Sequence, residues 1–271
     1  MVTPTYDLED LEDLEKLRAV ARAAPELWDA VDFARRRLRF AADEAQAAVL
    51  RSEAKRGIMN CSRQWGKSTI AAAKALHRAC TRPKSLVLVA SPTERQSAEF
   101  LLKVEELMVP LQIAPRGDGH NRISVLLPNG SRIVGLPGTE ETVRGFSAVS
   151  MLIVDEAALV EDRMFNALRP MLAIGEGDIW LISTPRGRRG FFYETWEFGG
   201  PDWTRFSVPG TDCARISRRF LEESRAVMGA SWFAQEFLCE FVDNELGTFD
   251  RDLIQRALDP YVIPLNVGTW E

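Results

Sequence analysis

The chain has 271 residues, 46% of them hydrophobic, which is enough apolar material for one large folded domain and excludes an intrinsically disordered chain. No apolar run approaches the roughly 18 residues of a membrane span, and the N-terminus is acidic rather than a basic-then-apolar signal sequence. The net charge is −5, yet six acidic residues and no base stand among residues 1–15, so the remainder sums to +1. We therefore expect a soluble intracellular protein with no membrane partner, whose charge is compatible with binding nucleic acid.

Two helical segments are predicted before residue 51. The acidic stretch "DLEDLEDLEKL" (7–17) has a leucine at every third position and predicts a short amphipathic helix, either packed on the domain or docked to a partner. A second helix is predicted over residues 26–50, where clustered arginines form either a solvated face or a site for a phosphate or acidic partner. These are Arg35, Arg36, Arg37 and Arg39. We assign residues 1–40 to an N-terminal helical, acidic extension.

The segments that follow alternate between apolar strands and helices. In chain order they are a short strand (57–61), a helix (69–79), a strand (85–91), a helix (93–108), a hairpin (122–138), two strands (149–160 and 177–187) and a helix (217–237). In the hairpin, Asn129 and Gly130 favour a turn of the primed type. The alternation predicts an α/β fold with a mostly parallel central sheet flanked by helices, where ligands bind beyond the carboxyl ends of the strands.

Four cysteines are spread along the chain, too far apart for a Cys-x-x-Cys metal site and too few for a disulfide framework. We therefore expect no structural zinc. Cys61 has two interpretations, a reactive thiol or a small residue that fills a loop, and the second is the simpler.

The stretch "NCSRQWGKST" (60–69) matches the end of a phosphate-binding loop, G-x-x-x-x-G-K-[ST], but has Cys61 in place of the first glycine. Such a loop presents backbone N–H groups to phosphate oxygens, while its lysine reaches the β- and γ-phosphates and its hydroxyl binds Mg²⁺. The first glycine is needed where the chain must adopt a positive φ or approach the phosphates closely, so we expect Cys61 to lie in an ordinary backbone region. The loop residues assigned to nucleotide binding are Ser62, Arg63, Gln64, Trp65, Gly66, Lys67, Ser68 and Thr69.

An apolar run that ends in two carboxylates, "MLIVDE" (151–156), supports a nucleotide site. Asp155, at the end of the predicted strand, would share the Mg²⁺ shell with Ser68, and Glu156 would orient and deprotonate an attacking water. Buried charges are costly without a cation or partner, so a purely structural role for the pair is hard to justify. Together with Lys67 upstream, the two carboxylates predict a site that hydrolyses a nucleoside triphosphate.

Two further polar segments have less specific interpretations. In "LISTPRG" (181–187), Ser183 and Thr184 end a strand, either as sensors of a γ-phosphate or as part of a simple turn. Arg144 lies in a Gly-flanked loop ahead of the carboxylate strand. It is either an arginine finger that stabilises transition-state charge or a partner in a surface salt bridge.

Four stretches together resemble the ATPase domain of the large terminase subunit, the motor that packages DNA into the capsids of tailed bacteriophages. They run in order between about residues 40 and 250: "SRQWGKST", "SVLLPNGSRIVGLPGTEETVRGFSAVSMLIVDEAALVEDRMFNALRPML", "GDIWLISTPRGRRGFFYETW" and "FAQEFLCEFVDNELGTF". Large terminases are similar in lacking the first loop glycine and in carrying an arginine inside the loop, which Arg63 matches here.

The resemblance implies a RecA-like, additional-strand ATPase core that uses ATP and Mg²⁺. Ser183 and Thr184 would couple hydrolysis to movement. Gln46 would read adenine, although Ala45 stands where an aromatic residue often precedes it. Arg144 would be a finger offered to the ATP of a neighbouring subunit. The catalytic set is then Glu156, Arg144, Lys67 and Arg63, and the nucleotide-binding set comprises the loop with Gln46, Asp155, Ser183 and Thr184.

The resemblance also implies partners: double-stranded DNA bound without sequence specificity, the portal protein and the small terminase subunit. Copies of the chain would form a homo-oligomeric ring, a pentamer on the capsid and a monomer in solution, in the host cytoplasm with transient docking on the procapsid. Residues 41–250 would form the ATPase domain and 251–271 a linker toward a nuclease domain, so no nuclease activity is expected of this chain. Arg186, Arg188 and Arg189 would either grip DNA or form the subunit interface.

Two other functions share part of this pattern. A superfamily-two helicase or translocase has the same loop and Asp-Glu strand, but it would need a second RecA-like domain with its own arginine finger. A non-catalytic nucleotide-binding assembly module would also have the loop, but Glu156 argues against it because such a module needs no water-activating carboxylate.

Overall fold

The structure is a computed structural model that describes residues 11–17, 29–136 and 145–242. Its centre is a seven-stranded sheet of order β3-β4-β2-β5-β6-β1-β7, in which β3 and β4 pair antiparallel and the other described pairs are parallel. The strands are β1 (Arg56–Cys61), β2 (Leu86–Ala90), β3 (Ser124–Leu126), β4 (Arg132–Gly135), β5 (Met151–Asp155), β6 (Asp178–Ser183) and β7 (Thr204–Val208). The predicted α/β fold with a mostly parallel sheet is confirmed.

Helices cover both faces of this sheet. They are α1 (11–17), α2 (Ala30–Arg36), α3 (Glu44–Arg51), α4 (Lys67–Thr81), α5 (Glu94–Met108), α6 (Asp162–Leu168), α7 (Gly190–Phe198), α8 (Arg218–Met228) and α9 (Ala230–Leu238). Within the described ranges, no helix is long and apolar enough to cross a membrane.

The two helical layers explain why the central strands are uninterrupted apolar runs, since side chains on both faces of a strand are covered. In β5, Ile153 lies in the core cluster that contains residues of α2 to α5, whereas its neighbour Val154 lies in a second cluster with residues of α6 and α7. All five residues of β5 are buried, including the charged Asp155 that ends the strand. The buried carboxylate is therefore placed at the carboxyl edge of the sheet.

Both long helical predictions are wrong about continuity. The first helix, α2, ends at Arg36, and Arg39 in the segment that follows has a φ of +53°. The carboxylate of Asp43 then starts α3 by accepting a hydrogen bond from the backbone N of Gln46. Gly229, with a φ of +77°, likewise separates α8 from α9. Local caps and positive-φ residues thus override the apolar periodicity that suggested single helices over 26–50 and 217–237.

The predicted hairpin forms, with Leu126 opposite Arg132, but its turn is not of the primed type. A primed turn of type I′ needs positive φ at both central residues, and at this turn only Gly130 has it (φ +79°). Gly130 N donates to the carbonyl of Leu127 at 2.9 Å, which makes Pro128 the first central residue. Because proline locks φ near −65°, it selects a longer loop that ends in a glycine bulge.

The N-terminal segments pack on the domain where the structure describes them. Leu17 in α1 is buried in the main core cluster, and Lys16 Nζ donates to the carbonyl of Gln112 at 3.3 Å. In α2, Arg35 is exposed and pairs with Asp32 at 2.7 Å within the same helix. These contacts agree with the packed interpretation of the acidic helix and with a solvated arginine cluster.

Candidate functional site

Asp155, Ser183 and the start of the phosphate loop lie at the carboxyl edge of the sheet. Strands β5, β6 and β1 are neighbours, and their register places Asp155 beside Ile182 and Asn60 beside Ser183. The loop that follows β1 therefore begins next to the end of β6 and one strand away from the end of β5. Parallel strands bring residues that are more than a hundred positions apart in sequence to one edge of the sheet.

The phosphate loop accommodates Cys61 as the sequence predicts. Cys61 is the last residue of β1, with a buried side chain and an ordinary negative φ, whereas the positive φ values of the loop occur at Gln64 (+64°) and Gly66 (+97°). Burial raises the pKa of the Cys61 thiol to about 12, so the thiol stays protonated and unreactive at neutral pH. The interpretation of Cys61 as a small filling residue is therefore the one that the geometry supports.

The end of the loop directs an ammonium and a hydroxyl toward the site. Lys67, the first residue of α4, is 6% exposed, and its Nζ has a 3.3 Å hydrogen bond to the carbonyl of Ser62. Ser62 Oγ is buried and has no partner within the described ranges. Phosphate oxygens at this position would give the Lys67 ammonium stronger acceptors and would give the Ser62 hydroxyl a hydrogen-bond partner. Unlike Ser62 and Lys67, Trp65 does not point its side chain at the site. Its ring is buried in the core, and only its backbone belongs to the loop surface.

The two predicted carboxylates lie against this loop. Ser68 Oγ donates to Asp155 Oδ1 at 3.1 Å, which joins the loop to β5 and forms an oxygen pair of the kind that Mg²⁺ prefers. Burial, reinforced by the neighbouring charge of Glu156, raises the pKa of Asp155 to about 6, while the Ser68 hydrogen bond and the Lys67 charge oppose the rise. A cation at this position would relieve the cost of the buried charge.

Glu156 is held in an unusual backbone conformation. Its φ of +51° and ψ of +45° are left-handed, and its backbone N donates to Asp155 Oδ1 at 3.1 Å. Ser183 Oγ accepts a hydrogen bond from Ala158 N at 3.2 Å and donates to Glu156 Oε2 at 3.5 Å, the outer limit for such a bond. Non-glycine residues in this region are strained and are concentrated at functional sites. Glu156 is thus half-buried beside Ser183, with a side chain that is only loosely bound.

Arg63 is turned toward the C-terminal helices. Its backbone N donates to the carbonyl of Glu236 at 2.9 Å, and its exposed guanidinium lies 3.4 Å from Glu236 Oε2. Glu236, in α9, is 8% exposed and stands between the buried Phe233 and Phe237. Glu236 is not among the predicted site residues, although a charge on the apolar side of a helix is a signal that the sequence contains.

Gln46 lies against the loop, with its amide bonded to backbone. Its Nε2 donates to the carbonyl of Trp65 at 3.2 Å, and its Oε1 accepts from Asp43 N at 3.2 Å. Arg215, from the segment before α8, donates to the same Trp65 carbonyl at 2.6 Å and pairs with Asp43 at 3.0 Å. Nothing in the local sequence around Arg215 pointed to this contact.

The remaining predicted residues differ in position. Thr184 follows β6 and is half-buried, and Gln64 is exposed on the loop. Arg186, Arg188 and Arg189 are exposed beyond β6. Arg144 lies outside the described residues, so its role as a finger stays a prediction.

Comparison with known proteins identifies similar chains. A family model described as "Terminase large subunit, T4likevirus-type, N-terminal" matches residues 58–256. The large terminase subunits of Thermus phage G20c and Thermus virus P23-45 are each 28% identical to this chain, in alignments that cover 75% of this chain and 49% of the relative. The chain therefore spans about half the length of these curated relatives.

Solved structures show the same fold. The ATPase domain of the Thermus phage P74-26 large terminase superposes with a TM-score of 0.68 at 25% identity, over 77% of this chain and 97% of that one. The large terminase of another thermophilic bacteriophage, solved in complex with ADP, has a TM-score of 0.61 over 88% of this chain and 54% of its own. At 12% identity the second likeness concerns the fold alone. The predicted RecA-like fold is confirmed.

Proposed function

This chain belongs to the terminase large subunit family, and from that premise we propose that it hydrolyses ATP to drive double-stranded DNA into a procapsid. The observation that carries the proposal is the 3.1 Å bond between Ser68 Oγ and Asp155 Oδ1, which joins the phosphate loop to the carboxylate strand. Lys67 precedes Ser68 and Glu156 follows Asp155, so a cation and a water-activating carboxylate stand on the two sides of that junction. This is the arrangement that transfer of a γ-phosphoryl group to water requires.

The chain's own residues would act on ATP and water as follows. Loop N–H groups and the Lys67 ammonium bind the phosphate oxygens and hold the γ-phosphate in line for attack. Glu156 orients the water and takes its proton as the bond to the leaving oxygen of ADP breaks. Ser68 and Asp155 would hold Mg²⁺, which would neutralise charge on the phosphates. Arg63 and a neighbour's Arg144 are proposed to stabilise the remaining charge, and Gln46 to contact adenine.

The decisive variant is Glu156→Gln, which keeps the size of the side chain and removes the base. We expect phosphate release in the presence of DNA and portal protein to fall by about 10² to 10⁴, the usual contribution of a general base, with unchanged binding of a fluorescent ATP analogue. Glu161→Gln, an exposed carboxylate five residues further on, is the matched control and should release phosphate at the wild-type rate. A Glu156→Gln variant as active as wild type would rule out this chemistry.

The rival functions give different results in the same assays. A helicase would separate the strands of a duplex in an ATP-dependent manner, whereas the proposed motor moves along DNA that stays double-stranded. A non-catalytic assembly module would bind the ATP analogue yet release no phosphate from ATP under any condition. Phosphate release that depends on Glu156, without strand separation, therefore distinguishes the proposed motor from both.

The motor would act with several partners. The portal protein, the small terminase subunit and further copies of this chain in a ring are proposed to assemble on the procapsid in the host cytoplasm. DNA would be held through phosphate contacts, so binding should weaken steeply with added salt. The exposed Arg186, Arg188 and Arg189 are candidates for this contact or for the interface between subunits.

A further inference from the structure

Asn60 is a buried polar residue next to the hydrolysis centre that the mechanism above does not use. It is the second-last residue of β1 and is 1% exposed. In the sheet it lies beside Ser183 of β6 and Ser207 of β7. Two residues earlier, Ile58 and Leu181 are also register partners, and both lie in the second core cluster. Because side chains alternate along a strand, Asn60 and Ser183 project from that same face of the sheet.

The Nδ2 group of the Asn60 amide is hydrogen-bonded to the C-terminal end of α9. Its Nδ2 donates to the carbonyl of Cys239 at 2.8 Å, a contact between residues 179 positions apart. Cys239 ends α9 in a left-handed conformation (φ +62°), and its thiol bonds the carbonyl of Val208 at 3.4 Å. The end of α9 is thereby fastened to the strand that leads into the phosphate loop.

The carbonyl oxygen of the Asn60 amide has no partner among the residues that the structure describes. Asn60 Oδ1 is buried, and none of the described residues donates a hydrogen bond to it. A buried acceptor without a donor is costly, so a donor that becomes available nearby will be drawn to it. The register puts Ser183 on the adjacent strand, and within the described part of the chain its hydroxyl donates to Glu156 Oε2 alone, at 3.5 Å.

We propose that Asn60 is a positioning residue that links Glu156 to the C-terminal helices through Ser183, a role that rests on the proposed hydrolysis of ATP at this site. Ser183 has one hydroxyl proton and two acceptors, Glu156 Oε2 and Asn60 Oδ1. Asn60 and Ser183 are not hydrogen-bonded in this structure, so when Glu156 turns to the attacking water, the side chain of Ser183 turns toward Asn60 and donates to Oδ1, with its proton still on Ser183. The amide is then bonded at both ends and holds the carbonyl of Cys239 more firmly.

A double-mutant cycle tests this link by phosphate release from ATP by the full chain with linear DNA. Asn60→Asp places an oxygen against the carbonyl of Cys239, and we expect kcat to fall about tenfold with the KM for ATP within about twofold. Adding Ser183→Ala to Asn60→Asp should cost less than Ser183→Ala costs in wild type, because Asn60→Asp has already broken the same chain of hydrogen bonds at the carbonyl of Cys239. The control is Asn129→Asp, since Asn129 Nδ2 also bonds a backbone carbonyl at 2.8 Å, that of Ala79, far from the site.

Hydrogen exchange gives a second measurement that does not depend on an Asn60 variant folding. The amides of Cys239 and Glu240 both bond the carbonyl of Ala234, so they report on the end of α9. We expect a non-hydrolysable ATP analogue to increase their protection in wild type and not in Ser183→Ala.

The outcomes separate this proposal from the proposed function. If wild type releases no phosphate, or if Glu156→Gln releases as much phosphate as wild type, the proposed ATP hydrolysis itself is wrong. If those two controls behave as expected, additive losses for Asn60→Asp and Ser183→Ala would overturn the link. The link would also be overturned if amide protection at Cys239 and Glu240 did not change when the ATP analogue binds, or if it changed equally in wild type and in Ser183→Ala.

Discussion

The ionised carboxylate of Asp155 lowers the stability of the folded chain. The carboxylate is buried beside a second carboxylate, and its raised pKa of about 6 means that the folded state holds the proton more tightly than the unfolded state does. Stability that comes from the protonated form is complete below the ordinary pKa of 3.8 and is lost as the pH rises through 6. At neutral pH the ligand-free site is therefore destabilised by the group that would bind Mg²⁺.

Asp155→Asn should consequently stabilise the chain while disabling the site. In EDTA without nucleotide, we expect its free energy of unfolding at pH 8 to exceed that of wild type by up to about 3 kcal/mol, the equivalent of the pKa shift. The difference should shrink as the pH falls below 6 and be small once the pH is below 3.8, where the carboxyl is mostly protonated in both states. Urea unfolding of both chains across this pH range measures it. Equal stabilities at pH 8 would contradict the cost assigned to Asp155.

At the scale of elements, α3 and α4 are joined by a buried lysine. Lys74 of α4 is 8% exposed, and its Nζ donates to three carbonyls at the end of α3. These belong to Val49 (3.1 Å), Leu50 (3.3 Å) and Ser52 (2.7 Å). A cation at a helix C-terminus satisfies unpaired carbonyls and complements the helix dipole. The contact therefore fixes α3, which touches the phosphate loop through Gln46, against α4, which begins at Lys67 of that loop.

Lys74→Met keeps most of the apolar stem and removes these three hydrogen bonds. We expect the free energy of unfolding to fall by about 1–3 kcal/mol, because buried carbonyls lose their donor. Lys103→Met is the control, since the ammonium of Lys103 on α5 is exposed and should contribute little. Urea denaturation of the two variants beside wild type makes the comparison. Similar stabilities of the two variants would show that the buried cation is not what joins α3 to α4.

The elements also show why caps were harder to predict than strands. An apolar run such as β5 is recognisable because both faces of the strand are covered, which leaves no alternation to find. The break between α2 and α3 depends on Arg39 adopting a positive φ and on Asp43 capping the next helix. Both are local backbone features that the spacing of apolar residues does not reveal. Pro128 was visible in the sequence: a two-residue turn over Asn129 and Gly130 would need the N–H of residue 128 to donate to the carbonyl of Ser131, and proline has no N–H. Leu127 N makes that bond instead.

At the scale of the whole molecule, the predicted finger would make each site depend on a second copy of the chain. Lys67 belongs to the loop of one subunit, whereas Arg144 is proposed to complete the site of its neighbour. Loss of a finger of this kind costs about 10³ to 10⁵ in rate, so an isolated chain should hydrolyse ATP slowly.

Mixing Lys67→Ala and Arg144→Ala subunits tests whether the finger acts between subunits. Each variant alone should be inactive, whereas in a random equal mixture about a quarter of the interfaces pair an intact loop with an intact arginine, so phosphate release should partly return. The matched control replaces the Arg144→Ala subunit by one that also carries Lys67→Ala, and it should recover nothing. No recovery at any mixing ratio would favour a role for Arg144 within its own subunit or in the structure.

Sequence alone determined the fold class, the phosphate loop and the Asp155–Glu156 pair, because each is written in consecutive residues whose spacing reflects a strand, a turn or a helix start. The contacts between residues far apart in sequence became visible only in the tertiary structure. Arg63 meets Glu236 from 173 residues away, and Arg215 reaches Trp65 from 150. Such pairs depend on how α8 and α9 lie against the sheet, and no local pattern encodes that packing, because it results from the burial of many side chains at once.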